Sequence, residues 1–167
     1  TLSLHDALPI YREDVELAHQ SNHADPALVY GHLRAGAESG WDFSSRWFKE
    51  PGNFSSTHCT DIIPVDLNCL LLSLELILSY AYELKGEAGQ SIRLVLAADK
   101  RKKAIDQYCW NDSTGFFMDY DWQAGKQKTA MTLAGISPLY FNMADPEKAT
   151  RVMQHIKNLF LKNGGVV

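Results

Sequence analysis

The residues of this sequence best suited to chemistry lie in one ten-residue stretch, ESGWDFSSRW, residues 38–47. It places two tryptophans and a phenylalanine beside a carboxylate, Asp42, and a guanidinium, Arg46. Aromatic rings cover the apolar faces of a pyranose, charged groups bind its hydroxyls, and a carboxylic acid can protonate a glycosidic oxygen. The stretch is therefore typical of a sugar site. The alternative is an amphipathic loop in which Asp42 and Arg46 pair as the rings pack.

Helical patterns on the N-terminal side predict how this stretch is positioned. A short helix begins at Tyr11, and Asp25-Pro26 is an N-cap followed by a first-turn proline, which predicts a helix over Pro26–Glu38. Ser39-Gly40 then ends that helix. The aromatic stretch is thus predicted to form a loop directly after a helix end, a common place for functional residues.

The longest predicted helix begins at Pro64, is about twenty residues and hence about 30 Å long, and has Gly86 as its C-cap. Its apolar residues recur every three or four positions, which predicts a stripe that faces the core. The stripe consists of Leu67, Leu70, Leu71, Leu74, Leu78, Ala81 and Leu84. Because Glu75 and several other polar residues interrupt the apolar run, we expect a buried helix rather than a membrane span.

The rest of the sequence predicts a helix over residues 90–109, a short strand at 116–121 in a hairpin, and a last helix from Asp145-Pro146 to about Lys162. Helices in antiparallel pairs joined by loops favour an all-α toroid or bundle over a parallel sheet.

The composition is that of a globular protein, with 46% hydrophobic and 22% charged residues over 167 positions, enough for one domain or part of a larger one. The formal net charge of -4 lacks the basic excess of a nucleic-acid-binding protein. Cys59, Cys69 and Cys109 are odd in number and widely spaced. We therefore expect buried thiols rather than a disulfide framework or a zinc site.

Three motifs together resemble the trehalases of glycoside hydrolase family 37: ESGWDFSSRW, IIPVDLN at 62–68 and YCWNDSTGFFMDYD at 108–121. The resemblance runs in order from about Tyr11 to Val166. It implies an all-α fold that is part of an (α/α)6 toroid with a short β-hairpin, incomplete at both ends, with residues 11–167 forming a partial catalytic domain. We interpret residues 1–10 as foreign or disordered, because Leu8-Pro9-Ile10 stand where the family has its PRPESY segment.

The resemblance also implies an activity, the hydrolysis of α,α-trehalose to two glucose molecules with inversion and without a metal or other cofactor. The family's general acid falls on Asp42, and Gly40 and Trp41 would line the same pocket. Arg46 would either brace the loop or bind a sugar hydroxyl. Because the acid must hold its proton near neutral pH, we expect Trp41 and Phe43 to shield Asp42 from water.

Inversion also needs a base about 6.5–9.5 Å from the acid. The resemblance places that base on a glutamate downstream of this chain, so we expect these residues to supply the acid only and to be inactive alone. Four other carboxylates are better explained as structural: Asp66 as a capping partner of the long helix, Asp61 in a turn, and Asp119 and Asp121 on a solvated hairpin face. The spacing of histidines and serines indicates neither a metal site nor an esterase.

Two other functions remain open, an (α/α)6 glycosidase for another glucoside or for a mannosyl or glycerate conjugate, and a non-catalytic saccharide-binding helical module. The expected partner is a small disaccharide, trehalose, with no nucleic acid or membrane. The sequence leaves the compartment open between periplasm and cytoplasm, with the periplasm preferred.

Overall fold

The computed structural model describes residues 11–21 and 25–166. The chain divides into two compact units, Thr1–Ile62 and Ile63–Val167. Both are mainly helical, and the second also carries short antiparallel hairpins. The interpretation of residues 1–10 as foreign or disordered falls outside the described residues and stays a prediction.

Two helices form the frame of the first unit, α1 at Arg12–Gln20 and α2 at Pro26–Glu38. Both were predicted, and α2 has the predicted bounds. The Asp25 side chain caps α2 by accepting a hydrogen bond of 2.9 Å from the backbone N–H of Ala27. The two helices share a small buried core of Leu17, Ala18, Val29 and Leu33.

Three short 3-10 helices follow α2, at Ser45–Trp47, Phe54–Ser56 and Cys59–Asp61. The two-residue strand β1, Ile62–Ile63, ends this part of the chain.

The second unit begins with a pair of long helices, α3 at Val65–Leu84 and α4 at Ala88–Ala104. Polar side chains join them. Arg101 of α4 donates to both carboxylate oxygens of Glu75, at 2.8 and 3.0 Å, and to the Oδ1 of Asn68 at 2.9 Å. A planar guanidinium that binds a carboxylate through two hydrogen bonds fixes the alignment of the helices as well as their contact.

The apolar stripe predicted to face the core is exposed, so that prediction is wrong. All seven of its residues are exposed, and α3 instead buries Val65, Cys69, Leu72 and Ser79. The 3.6-residue period located the helix correctly, but α4 packs on a different side of it, the side that carries Glu75. Among the described residues, the leucines of the stripe are from 36% to 71% exposed.

Helix α3 is also long and apolar enough to cross a membrane by length and composition, the only helix of the described residues that is. Core helices of globular proteins meet the same criterion. The hydrogen bonds that Arg101 donates to Glu75 and Asn68 turn the polar side of α3 toward α4. Only 22% of the apolar window of α3 is buried, so the prediction of a buried helix is not confirmed among the described residues.

Two consecutive hairpins occupy the place of the single strand predicted at 116–121. Strand β2, Trp110–Asn111, pairs with β3, Phe116–Phe117, and β4, Tyr120–Asp121, pairs with β5, Lys126–Gln127, both antiparallel. A π-helical turn, Ile105–Cys109, joins α4 to β2.

After the hairpins a 3-10 helix at Leu133–Ile136 leads into the short helix α5, Ser137–Tyr140. Helix α6 spans Pro146–His155 and begins where predicted, with Asp145 as its N-cap. It ends earlier than predicted, because a π-helical turn at 156–160 and a hairpin of β6, Leu161–Lys162, with β7, Gly165–Val166, replace its last turns.

Asp119 supplies a helix cap from a distant part of the chain. It is buried, and its Oδ1 accepts a hydrogen bond of 3.0 Å from the backbone N–H of Val65, the first residue of α3. The prediction of a solvated face for Asp119 and Asp121 is therefore wrong, because Asp121 is also buried and accepts from the N–H of Ala124. Asp66, predicted to cap α3, accepts from the N–H of Leu67.

We expect Asp119→Ala to lower the free energy of unfolding by about 2 kcal/mol, because it removes the cap and leaves a buried N–H without its acceptor. Asp66→Ala is the matched control and should cost less than about 1 kcal/mol, the usual contribution of a first-turn carboxylate. Urea denaturation followed by circular dichroism measures both. Equal losses for the two variants would contradict the assignment of the cap to Asp119.

Candidate active site

The end of α2 sets the course of the predicted motif. Ser39 is the C-cap of α2. Gly40 follows it with φ at +75°, a left-handed conformation that glycine adopts without strain. The Oγ of Ser39 accepts a hydrogen bond of 3.0 Å from the N–H of Trp41. The chain therefore reverses sharply at Gly40 and leads into the residues that were predicted to do chemistry.

Asp42 lies at the second position of a tight turn. The turn closes through a hydrogen bond of 2.6 Å from the N–H of Ser44 to the carbonyl oxygen of Trp41. The peptide bond between Asp42 and Phe43 is cis. A 3-10 helix, Ser45–Trp47, follows immediately, and the Ser44 side chain caps it by accepting from the N–H of Arg46.

Arg46 is buried between two indole rings. Its Cζ lies 4.5 Å from the centroid of the Trp47 ring and 5.1 Å from that of Trp41, and the residue is only 1% exposed. A desolvated guanidinium over an indole face is a favourable cation–π arrangement. This geometry supports the bracing role predicted for Arg46, while its contact with a sugar hydroxyl stays a prediction. Among the described residues Asp42 and Arg46 form no ion pair, which contradicts the simple paired-loop alternative.

Asp42 itself is exposed, which differs from the shielded carboxyl that we expected. Phe43, one of the two rings expected to shield Asp42, is itself 41% exposed and makes its contacts elsewhere. Phe43 packs edge-on against Phe54, with ring centroids 4.8 Å apart, and against Gly36 of α2, where even a methyl group would lie 3.1 Å from the ring. The ring therefore packs against these residues, and the Asp42 carboxylate is open to solvent.

The exposed carboxylate lies on a cleft and not on a convex surface. The cleft has a volume of about 260 Å³. Its lining residues are Tyr11, Asp14, Tyr30, Leu33, Arg34, Ala37, Asp42 and Phe43. A carboxyl beside phenol groups and a guanidinium is a set of groups that can bind and protonate a polyol.

Sequence reasoning missed four polar residues of this cleft, one of which is Tyr11, directly before α1. Tyr30 and Arg34 are four residues apart on α2, and Asp14 lies in the first turn of α1. The spacing of Tyr30 and Arg34 was a usable signal, because residues at i and i+4 share one face of a helix. The Asp14 carboxylate accepts a hydrogen bond of 3.0 Å from the N–H of Tyr11 and so also serves as a capping group of α1.

The sequence pattern of one protein family covers nearly the whole chain. The profile described as Trehalase matches residues 5–167. The chain belongs to the trehalase family. Gly40, Trp41, Asp42 and Arg46 lie close together after α2 in this trehalase-family chain.

A solved structure supports the fold of the trehalase-family chain independently. The GH63 mannosylglycerate hydrolase from Thermus thermophilus, crystallised in complex with Tris, matches with a TM-score of 0.56 at 17% sequence identity. The match covers 93% of this chain and 36% of the hydrolase, so the chain spans about a third of that protein's length. The helical fold is therefore confirmed as part of an (α/α)6 toroid with short antiparallel strands.

Proposed function

We propose that this chain forms part of a hydrolase that cleaves α,α-trehalose to two glucose molecules by inversion, with Asp42 as the general acid. The observation that carries the proposal is the place of Asp42, a solvent-accessible carboxyl on the edge of a cleft of about 260 Å³ in a trehalase-family chain. A general acid must reach the glycosidic oxygen within hydrogen-bond distance, and a carboxyl open to a concave surface can do so.

The surrounding residues support this role in distinct ways. Gly40 lets the chain turn away from α2, so the carboxyl lies beyond the end of the helix. Trp41 offers an indole face for a pyranose ring. The Arg46 guanidinium lies over the Trp41 ring and also over the buried Trp47 ring, so it connects the two indoles. The loop is therefore braced by buried groups, which limits the motion of the proton donor.

The catalytic base is assigned to a glutamate elsewhere in the polypeptide and not to a residue of this chain. Asp14 lines the same cleft, but its carboxylate is engaged with the N-terminus of α1. Residues 11–167 are then a partial catalytic domain that supplies the acid.

Proton NMR during hydrolysis by the full-length protein tests the proposal. Inversion at one anomeric centre of α,α-trehalose releases one β-glucose and one α-glucose, so equal amounts of both anomers should appear before mutarotation. Two α-glucose molecules would instead indicate retention. Maltose and mannosylglycerate serve as competing substrates. If the protein hydrolyses mannosylglycerate but not trehalose, the proposed substrate is wrong and mannosylglycerate takes its place. If it binds trehalose without hydrolysing it, a saccharide-binding module is favoured.

A further inference from the structure

One buried indole holds the peptide group that leads into Asp42. Trp47 is 1% exposed, and its Nε1–H donates a hydrogen bond of 3.1 Å to the carbonyl oxygen of Trp41. The same oxygen accepts the hydrogen bond from Ser44 that closes the turn. Two donors from within the motif therefore converge on the carbonyl group whose carbon is bonded to the backbone nitrogen of Asp42.

Trp47 is itself fixed from two directions. Its ring belongs to a core cluster with Cys59 and Ile62, against which Ala35, Trp41 and Phe48 pack. Its own carbonyl accepts a hydrogen bond of 2.9 Å from the N–H of His58. The ring thus connects the turn at Asp42 to α2 and to the segment at 57–62.

We propose that Trp47 is a positioning residue for Asp42, acting through the Trp41 carbonyl. The proposal rests on the proposed function, in which Asp42 donates the proton. Asp42 is exposed, so its place is set by the backbone turn that carries it and not by packing around its side chain. A displacement of about 1 Å in a catalytic group can cost roughly 100-fold in rate. Loss of the indole N–H removes one of the two hydrogen bonds that the Trp41 carbonyl oxygen accepts in this turn.

Kinetics with two substrates separate positioning from general loss of structure. Trehalose needs a proton on its leaving oxygen, whereas α-glucosyl fluoride releases fluoride without one. In the full-length protein we expect Trp47→Phe to lower kcat for trehalose about 100-fold with KM within about twofold, and to change the rate on α-glucosyl fluoride by no more than about threefold. Phe48→Leu, which removes another ring packed on the same cluster, is the control and should affect both substrates alike.

A fall of equal size on both substrates with Trp47→Phe would overturn the proposal, as would unchanged hydrolysis of trehalose.

Hydrogen exchange in the unsubstituted protein gives a second test, which does not depend on folding of the variant. The Trp47 indole N–H should exchange far more slowly than that of Trp122, which is 51% exposed. Equal exchange rates would also overturn the proposal. If the unsubstituted protein hydrolyses neither substrate, the proposed function is wrong, and the exchange rates still test whether the Trp47 indole N–H is held away from solvent.

Discussion

Replacing Asp42 with Asn should lower kcat/KM for α,α-trehalose by about 100- to 10,000-fold, the usual contribution of a positioned general acid. The change removes the dissociable proton but keeps nearly the same shape. Since Asp42 is exposed on its cleft, the substitution disturbs little packing, and the loss should come from chemistry rather than stability.

Glucose release from the full-length protein measures this effect. Asp14→Asn is the matched control, because Asp14 lines the same cleft but is engaged in capping α1. It should reduce kcat/KM by less than about tenfold. The variant Asp42→Asn should also retain most of its activity on α-glucosyl fluoride. Normal hydrolysis of trehalose by Asp42→Asn would remove the basis of the proposed function.

Replacing Gly135 with Ala should lower the free energy of unfolding by about 3 kcal/mol, at the upper end of the range for overpacked cores. Gly135 lies in the 3-10 helix Leu133–Ile136, where a Cβ would collide with the ring of Phe116 and lie 2.5 Å from the carbonyl oxygen of Phe117. Phe116 is fully buried, so its ring has no free space to enter. A backbone carbonyl cannot move without disturbing the hairpin of β2 and β3.

Gly89→Ala provides the control for this prediction, because a Cβ at that position in α4 meets nothing within 4 Å. It should leave stability unchanged or raise it by up to about 1 kcal/mol, since alanine favours the helix and restricts the unfolded chain. Urea denaturation of the two variants gives the difference directly. Equal stability of Gly135→Ala and Gly89→Ala would show that the chain can relax around Gly135.

Local patterns predicted the helices well because their end signals are short-range. Asp25-Pro26 and Asp145-Pro146 each mark the start of a helix within two residues, and both starts were confirmed. The motif residues Asp42 and Phe43 were candidates that the sequence offered and that line the cleft, whereas its other polar residues come from α1 and α2 and were missed. The bracing of Arg46 by two indoles follows from neighbours no more than five residues away.

Features that depend on distant residues could not be predicted from such patterns. The cap on α3 comes from Asp119, 54 residues beyond Val65, and nothing in the local sequence distinguishes Asp119 from a solvated hairpin aspartate. The contacts of Phe43 with Gly36 and with Phe54, eleven residues further along, were likewise not predicted. The wrong face was chosen for α3 because periodicity locates an apolar side but does not say which neighbour covers it.

The pairing of α3 with α4 also bears on synthesis of the chain at the ribosome. Glu75 and Arg101 are separated by only 26 residues, so the ion pair between them can form as soon as that length has emerged. The leucines on the other side of α3 then remain bare while translation continues. A nascent chain at this stage therefore exposes an apolar helix surface, the kind of surface that makes incomplete chains prone to aggregation and in need of chaperones.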